Sequence, residues 1–65
     1  MKIDTHKIAL TLAEKELTST ALSEKSGVSR QSISTIMARG TCTPVTASKL
    51  AKGLGVAITD IAKEA

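Results

Sequence analysis

The chain has 65 residues, one cysteine, no Phe, Tyr or Trp, and a formal net charge of +3, with a sequence pI near 9.4. That length allows one domain, residues 1–65, of marginal stability, whose core must be built from Leu, Ile, Val, Met and Ala. The lone Cys42 excludes an internal disulfide, and no apolar run is long enough for a leader or a membrane span. The cytosol is therefore the expected compartment, and no membrane partner is expected.

Ala, Leu, Lys and Glu are common and strand formers are sparse, which favours an all-α fold: a compact bundle of about five short helices. The first is expected over about residues 5–15, with Asp4 as N-cap, Ile3 stapled onto Ile8, and Ile8 and Leu12 facing inward. The second spans about 19–25, capped by Thr18 and burying Leu22, and Gly27 supplies a left-handed turn. The third runs over about 30–39 with Ser29 as N-cap and Gly40 at its end. On a helical wheel Ile33, Ile36 and Met37 share one side, and Gln31, Thr35 and Ala38 lie opposite, flanked by Ser32 and Ser34. Thr43-Pro44 reads as N-cap and first residue of a fourth helix to about residue 54, burying Leu50 and Leu54 and stopped by Gly55. Val56 and Ile58 lead into a short fifth helix carrying Ile61.

Charge is unevenly distributed. Residues 1–24 mix Lys2, Lys7 and Lys15 with Asp4, Glu14, Glu16 and Glu24, whereas from Lys25 to Thr59 there is no acid, only Lys25, Arg30, Arg39, Lys49 and Lys52. A polyanion would be drawn to that half, although charge alone fits a solvated basic surface equally well. The two helices around Gly27 add the deciding pattern. Leu22, Val28, Ile33 and Ile36 are spaced as the interior of a helix-turn-helix, with its core at residues 19–38. The major groove, about 12 Å wide, admits one helix whose side chains offer donors and acceptors without bulk. Arg30, Gln31, Ser34 and Thr35 fit that need, and the first amides of the second helix, near Ser19 and Thr20, would face a phosphate. Without the turn and the buried spacing, the same residues would be an ordinary solvated face.

The segment LTSTALSEKSGVSRQSISTI, residues 17–36, together with KLAKGLGVAITDI, residues 49–61, resembles the lambda-repressor-like, Cro-type helix-turn-helix family, also called the XRE family. The resemblance spans nearly the whole chain. It implies base contacts from Ser29, Arg30, Gln31, Ser34 and Thr35, and backbone contacts from Ser19, Thr20, Ser32, Arg39, Thr41 and Thr43. It also implies a homodimer on DNA that pairs through Leu54, Val56, Ala57 and Ile58, in a bacterial or phage-type cytoplasm at the nucleoid. The sequence departs from the family pattern in places. Ser19 replaces a glutamine that touches phosphate, Ser23 stands where a buried alanine is usual, and Ser26 where an apolar residue is common. Leu12 and Met37 occupy the places of a buried arginine–glutamate pair that some relatives carry. An apolar contact there avoids the desolvation cost of an ion pair and is expected to hold the first helix against the third.

The expected function is sequence-specific binding of double-stranded DNA by a transcription regulator, as a repressor. Without aromatic residues to stack on, single-stranded nucleic acid is a poorer target. The alternative is an antitoxin-like module that masks a protein and binds DNA only secondarily. The chain ends almost directly after the fifth helix, which counts against a wrapping segment. The same length leaves no room for a ligand-sensing domain, so control is expected from concentration, degradation or a regulatory protein partner. No enzyme, cofactor or metal is expected. One His6 and one Cys42 are too few ligands, no nucleophile–base pair is present, and the glycines form no phosphate-binding motif. Lys49 and Lys52 read as plain surface charges, and a redox role for Cys42 is the minor reading.

Overall fold

The computed structural model describes residues 1–63 as five helices: α1 (Thr5–Glu14), α2 (Ser19–Ser26), α3 (Arg30–Arg39), α4 (Pro44–Leu54) and α5 (Ile58–Ile61). The first four begin where a short polar side chain takes up an orphan backbone N–H. The Asp4 carboxylate accepts from the Lys7 N–H at 3.0 Å, and the Thr18, Ser29 and Thr43 hydroxyls accept from Ala21, Ser32 and Thr46 at 3.1, 3.2 and 3.3 Å. These are the four caps expected from the sequence. At α5 the cap residue is Ala57, which has no acceptor, and the Asp60 carboxylate instead reaches back to the Ala57 N–H at 3.1 Å.

The end of α1 carries no glycine. Glu16 adopts the left-handed conformation there, with φ of 54°. The Leu17 N–H donates to the Leu12 carbonyl at 2.9 Å and the Glu16 N–H to the Ala13 carbonyl at 3.2 Å, the bond pair of a Schellman cap. A left-handed L-residue costs about 1–2 kcal/mol, part of which a glycine would lose again through its greater unfolded-state entropy. Glu16→Gly is therefore expected to stabilise the chain by up to about 1 kcal/mol. A urea titration should show a higher midpoint at unchanged slope. A lower midpoint would mean that the Glu16 side chain contributes more than its backbone costs.

Helix α4 is the spine, with Ala47, Leu50, Ala51 and Leu54 buried along one side. Helix α2 lies closest along it and α5 packs on its end, while α3 crosses α2. Leu22, Val28, Ile33 and Ile36 fill the space between, and Ile3, Ile8 and Ile61 complete the core. The two serines of α2 that depart from the family pattern are both half-buried. Ser26 satisfies its hydroxyl by accepting from the Val28 N–H at 3.2 Å, so it serves the turn instead of the core.

Leu12 and Met37 are both half-buried against this core. The chief neighbour of α1, however, is α5 and not α3. Main-chain atoms tie the start of the chain to the end of α3. Residues 1–4 run between the α3–α4 loop and the segment after α5, forming antiparallel bridges Lys2–Thr41 and Ile3–Ala62. The Ile3 N–H donates to the Gly40 carbonyl at 2.9 Å, the Asp4 N–H to Ile61 at 2.7 Å, and the Lys63 N–H to Lys2 at 3.1 Å.

The four residues expected to join two copies differ in exposure. Leu54 is 1% exposed, enclosed in the chain's own core beside Leu50, and has no side-chain surface to offer a second copy. Val56 and Ile58 are half-buried and Ala57 is exposed.

Candidate nucleic-acid interface

Four apolar side chains set the angle between α2 and α3. Leu22 of α2, Val28 of the turn, and Ile33 and Ile36 of α3 are buried against one another's elements. Gly27, with φ of 75°, makes the reversal between them, a conformation that a residue with a Cβ adopts only at a cost. With its apolar stripe inward, α3 turns Arg30, Gln31, Ser32, Ser34, Thr35, Ala38 and Arg39 outward. Ser29, at its cap, is also exposed.

The hydroxyls on this face are not equivalent. Ser29 donates to the Ser32 hydroxyl at 2.9 Å while capping the helix, and Thr35 donates back to the Gln31 carbonyl at 3.0 Å. Both keep acceptor capacity but have used their proton. Among the described residues, the Arg30 guanidinium, the Gln31 amide and the Ser34 hydroxyl have no hydrogen bond within the chain and stand free.

A shallow groove flanks α3 on each side, and among the described residues neither is lined by a carboxylate. In one, Ser19 at the start of α2 lies beside Arg30, Gln31 and Ser34. Thr20 is exposed next to it but does not line the groove. In the other, Thr43, Thr46 and Lys49 face Gln31, Ser32 and Thr35. Arg39 and Thr41 lie apart from both, with Arg39 about 12 Å further along the helix from Gln31 at 1.5 Å per residue and Thr41 beyond its end.

The sequence marks Lys49 as a plain surface charge, and the fold places it in a groove shared with the outer face of α3. The signal was present in the spacing: Thr43, Thr46 and Lys49 recur every three residues and so line one side of α4. Lys52 is placed differently. It gathers with Lys15 and Lys25 around the C-terminal ends of α4, α1 and α2, where cations offset helix dipoles.

A family model described as helix-turn-helix matches residues 8–61. The chain belongs to the helix-turn-helix family. The match runs from α1 through α5 and bears out the resemblance to the XRE-type, lambda-repressor-like domain and its all-α bundle. No curated protein and no solved structure matches the chain. Helix-turn-helix domains of this kind bind DNA and regulate transcription, so the chain is a DNA-binding transcription regulator in that general sense. No described helix is long and apolar enough to cross a membrane.

Cys42 sits in the helix-turn-helix domain at the rim of the α3–α4 groove and is half-buried. Burial raises its thiol above the ordinary value, against a smaller opposing pull from the Met1 ammonium, which also donates to the Cys42 carbonyl at 2.7 Å. The thiol form is therefore favoured at neutral pH, which disfavours a reactive thiolate. The fold holds the neutral form more firmly than the unfolded chain does. This contribution is complete below the unfolded thiol's own value and is lost as pH rises through the raised one. Cys42→Ser should accordingly show a smaller loss of melting temperature between neutral and alkaline pH than the parent chain. An equal loss would mean that other groups govern the alkaline limb.

Proposed function

We propose that this domain, acting as one unit of residues 1–65, is a sequence-specific reader of double-stranded DNA that represses transcription, with α3 in the major groove. The observation that carries the reading is the outer face of α3. It presents unengaged hydrogen-bonding groups between two grooves that no carboxylate lines among the described residues, on a helix fixed by a buried turn. In this reading Gln31 pairs with an adenine edge and Arg30 with a guanine, and Ser34 bonds to either. Ser29 and Thr35 have committed their protons, so they offer an acceptor, and Thr35 also offers its methyl to a thymine. Ser19, Ser32 and Thr43 flank this face and contact phosphates, Thr20 does so from beside Ser19, and Lys49 joins them from α4. Arg39 and Thr41 would contact the backbone beyond the helix end.

In this reading the domain binds DNA as a homodimer, as the family resemblance implies. The chain extends 29 Å along its longest axis, and half-sites one helical turn apart are separated by about 34–36 Å. One copy thus covers one half-site, and Val56, Ala57 and Ile58 are the residues left to join two. No enzymatic role, cofactor or metal enters this reading. The working compartment is the cytoplasm, at the nucleoid, with any further control coming from a regulatory protein partner.

Selection of bound sequences from a random duplex library, repeated across a salt series, tests the reading. An enriched two-fold site is the expected result. Failure to enrich any sequence, with a stoichiometric protein co-purifying, would replace it by an antitoxin-like docking role. On the enriched site, Gln31→Ala should cost about 1–3 kcal/mol, on the order of 10- to 100-fold in affinity, and relax the preference at one base position. Equal weakening on random DNA would show that Gln31 does not read a base.

A further inference from the structure

Lys15, Lys25 and Lys52 converge on one recess at the C-terminal ends of α1, α2 and α4, and among the described residues no carboxylate lines it. Glu14, Glu16 and Glu24, their neighbours in sequence, are exposed but stand outside its lining. The Lys15 ammonium reaches from α1 over the end of α4. A Cβ at Gly55 would stand 3.0 Å from its Nζ, so the bare glycine leaves it room. The lysines are not needed to cap the helices. The Glu16 and Leu17 N–H groups already bond the last turn of α1, Gly27 that of α2, and Gly55 and Val56 that of α4. Helix dipoles attract the three cations, but each C-terminus carries only about half a negative charge. Three ends therefore leave about one and a half positive charges unbalanced in one recess, where they repel one another.

We propose that this recess binds a small dianionic oxyanion, a phosphate monoester or a dicarboxylate, as an effector that steadies the three helix ends. Two negative charges match the unbalanced remainder. Lysine suits such a ligand, because ammonium groups on flexible stems act as point charges and close on its oxygens from three helices. No residue of α3 lines the recess, so the anion and a ligand on the outer face of α3 bind without competing. Its influence on α3 is indirect. By tying the end of α2 to the end of α4, the anion holds the close approach of Ser26 to Gly53, and Ser26 supports the turn into α3 through Val28. The site stands whether or not α3 reads DNA.

The test follows the melting temperature of the full chain while inorganic phosphate, succinate or a short oligoglutamate peptide replaces chloride at constant ionic strength. Three chains are compared: the parent, Lys15→Gln/Lys52→Gln, and the control Lys2→Gln/Lys63→Gln, which loses the same charge elsewhere. The readout is the shift that the anion adds to each chain's own baseline, so a variant that is merely less stable does not mimic loss of the site. With phosphate or succinate the parent and the control should show a saturable rise on the order of 5–10 °C at ten times the dissociation constant, and the recess variant at most a small part of it. Whichever of the two gives the larger rise identifies the acid group of the ligand. An equal rise in all three chains would overturn the site, because anions excluded from the surface stabilise any fold. The absence of a rise with either small anion would overturn it too. A rise with oligoglutamate alone would assign the recess to an acidic protein segment instead.

Discussion

Leu22→Ala should leave the chain largely unfolded at temperatures where the parent is still native. Leu22 is 0% exposed and sits where α2 meets both α4 and the turn into α3. Truncating a fully buried leucine costs about 2–5 kcal/mol, because the lost transfer energy adds to the cavity left behind. A chain of this size has only about 3–10 kcal/mol in total, at roughly 0.05–0.15 kcal/mol per residue. With each kilocalorie moving the midpoint of a small domain by about 4–8 °C, the expected drop is on the order of 20 °C. Far-ultraviolet circular dichroism is the suitable readout, since the chain has no Trp or Tyr for intrinsic fluorescence. Val45→Ala is the comparison: Val45 is 67% exposed and its truncation should stay within about 0.5 kcal/mol of neutral. Similar shifts for the two would mean that the centre of the core has been misplaced.

Gly53→Ala should destabilise the chain although alanine is the better helix former. Propensity alone favours the alanine by about 1 kcal/mol. The added Cβ, however, would lie 2.8 Å from the Ser26 Cβ and 3.0 Å from both the Ser26 Cα and its backbone nitrogen. Backbone atoms cannot rotate away as a side-chain tip can, so α2 must move off α4, at a typical overpacking cost of about 1–3 kcal/mol. The displaced residue is the last of α2 and supports the turn through its bond to Val28, so the strain reaches the start of α3. The variant should melt lower and bind its DNA site more weakly. Adding Ser26→Gly removes the closest contact and should restore part of the loss. A rise in melting temperature for Gly53→Ala alone would show that the α2–α4 contact opens freely.

The parts of this fold that were legible in the sequence are those fixed by neighbouring residues. Asp4, Thr18, Ser29 and Thr43 each bond a backbone group three positions on, so their chemistry and spacing are visible in one dimension. The outer face of α3 was legible for the same reason, because Ile33 and Ile36 orient the helix whatever they pack against. What escaped depended on atoms distant in sequence or common to every residue. The bridges of residues 1–4 use main-chain groups, which carry no sequence signature. Leu54 illustrates a different limit: an apolar residue at a helix end reads the same whether it faces its own core or a second copy, and only its burial decides. Glu16 takes a backbone conformation for which glycine is the usual signal, so the end of α1 had no marker.

The same bridges bear on the order in which the molecule assembles and comes apart. The turn between α2 and α3 closes over a few residues, whereas Met1 reaches Cys42 across 41 positions and Ile3 pairs with Ala62 near the other end of the chain. Closing such long loops costs chain entropy before any bond repays it, so the opening segment docks only after the helices have gathered. A few main-chain bonds at the periphery also make it the easiest part to release. Because residues 1–4 lie between the loop after α3 and the segment after α5, one detachment frees both. Amide hydrogens of Ile3, Asp4, Cys42 and Lys63 should therefore exchange with solvent as a group, at a lower opening energy than those of Leu50 or Ala51 in the middle of α4.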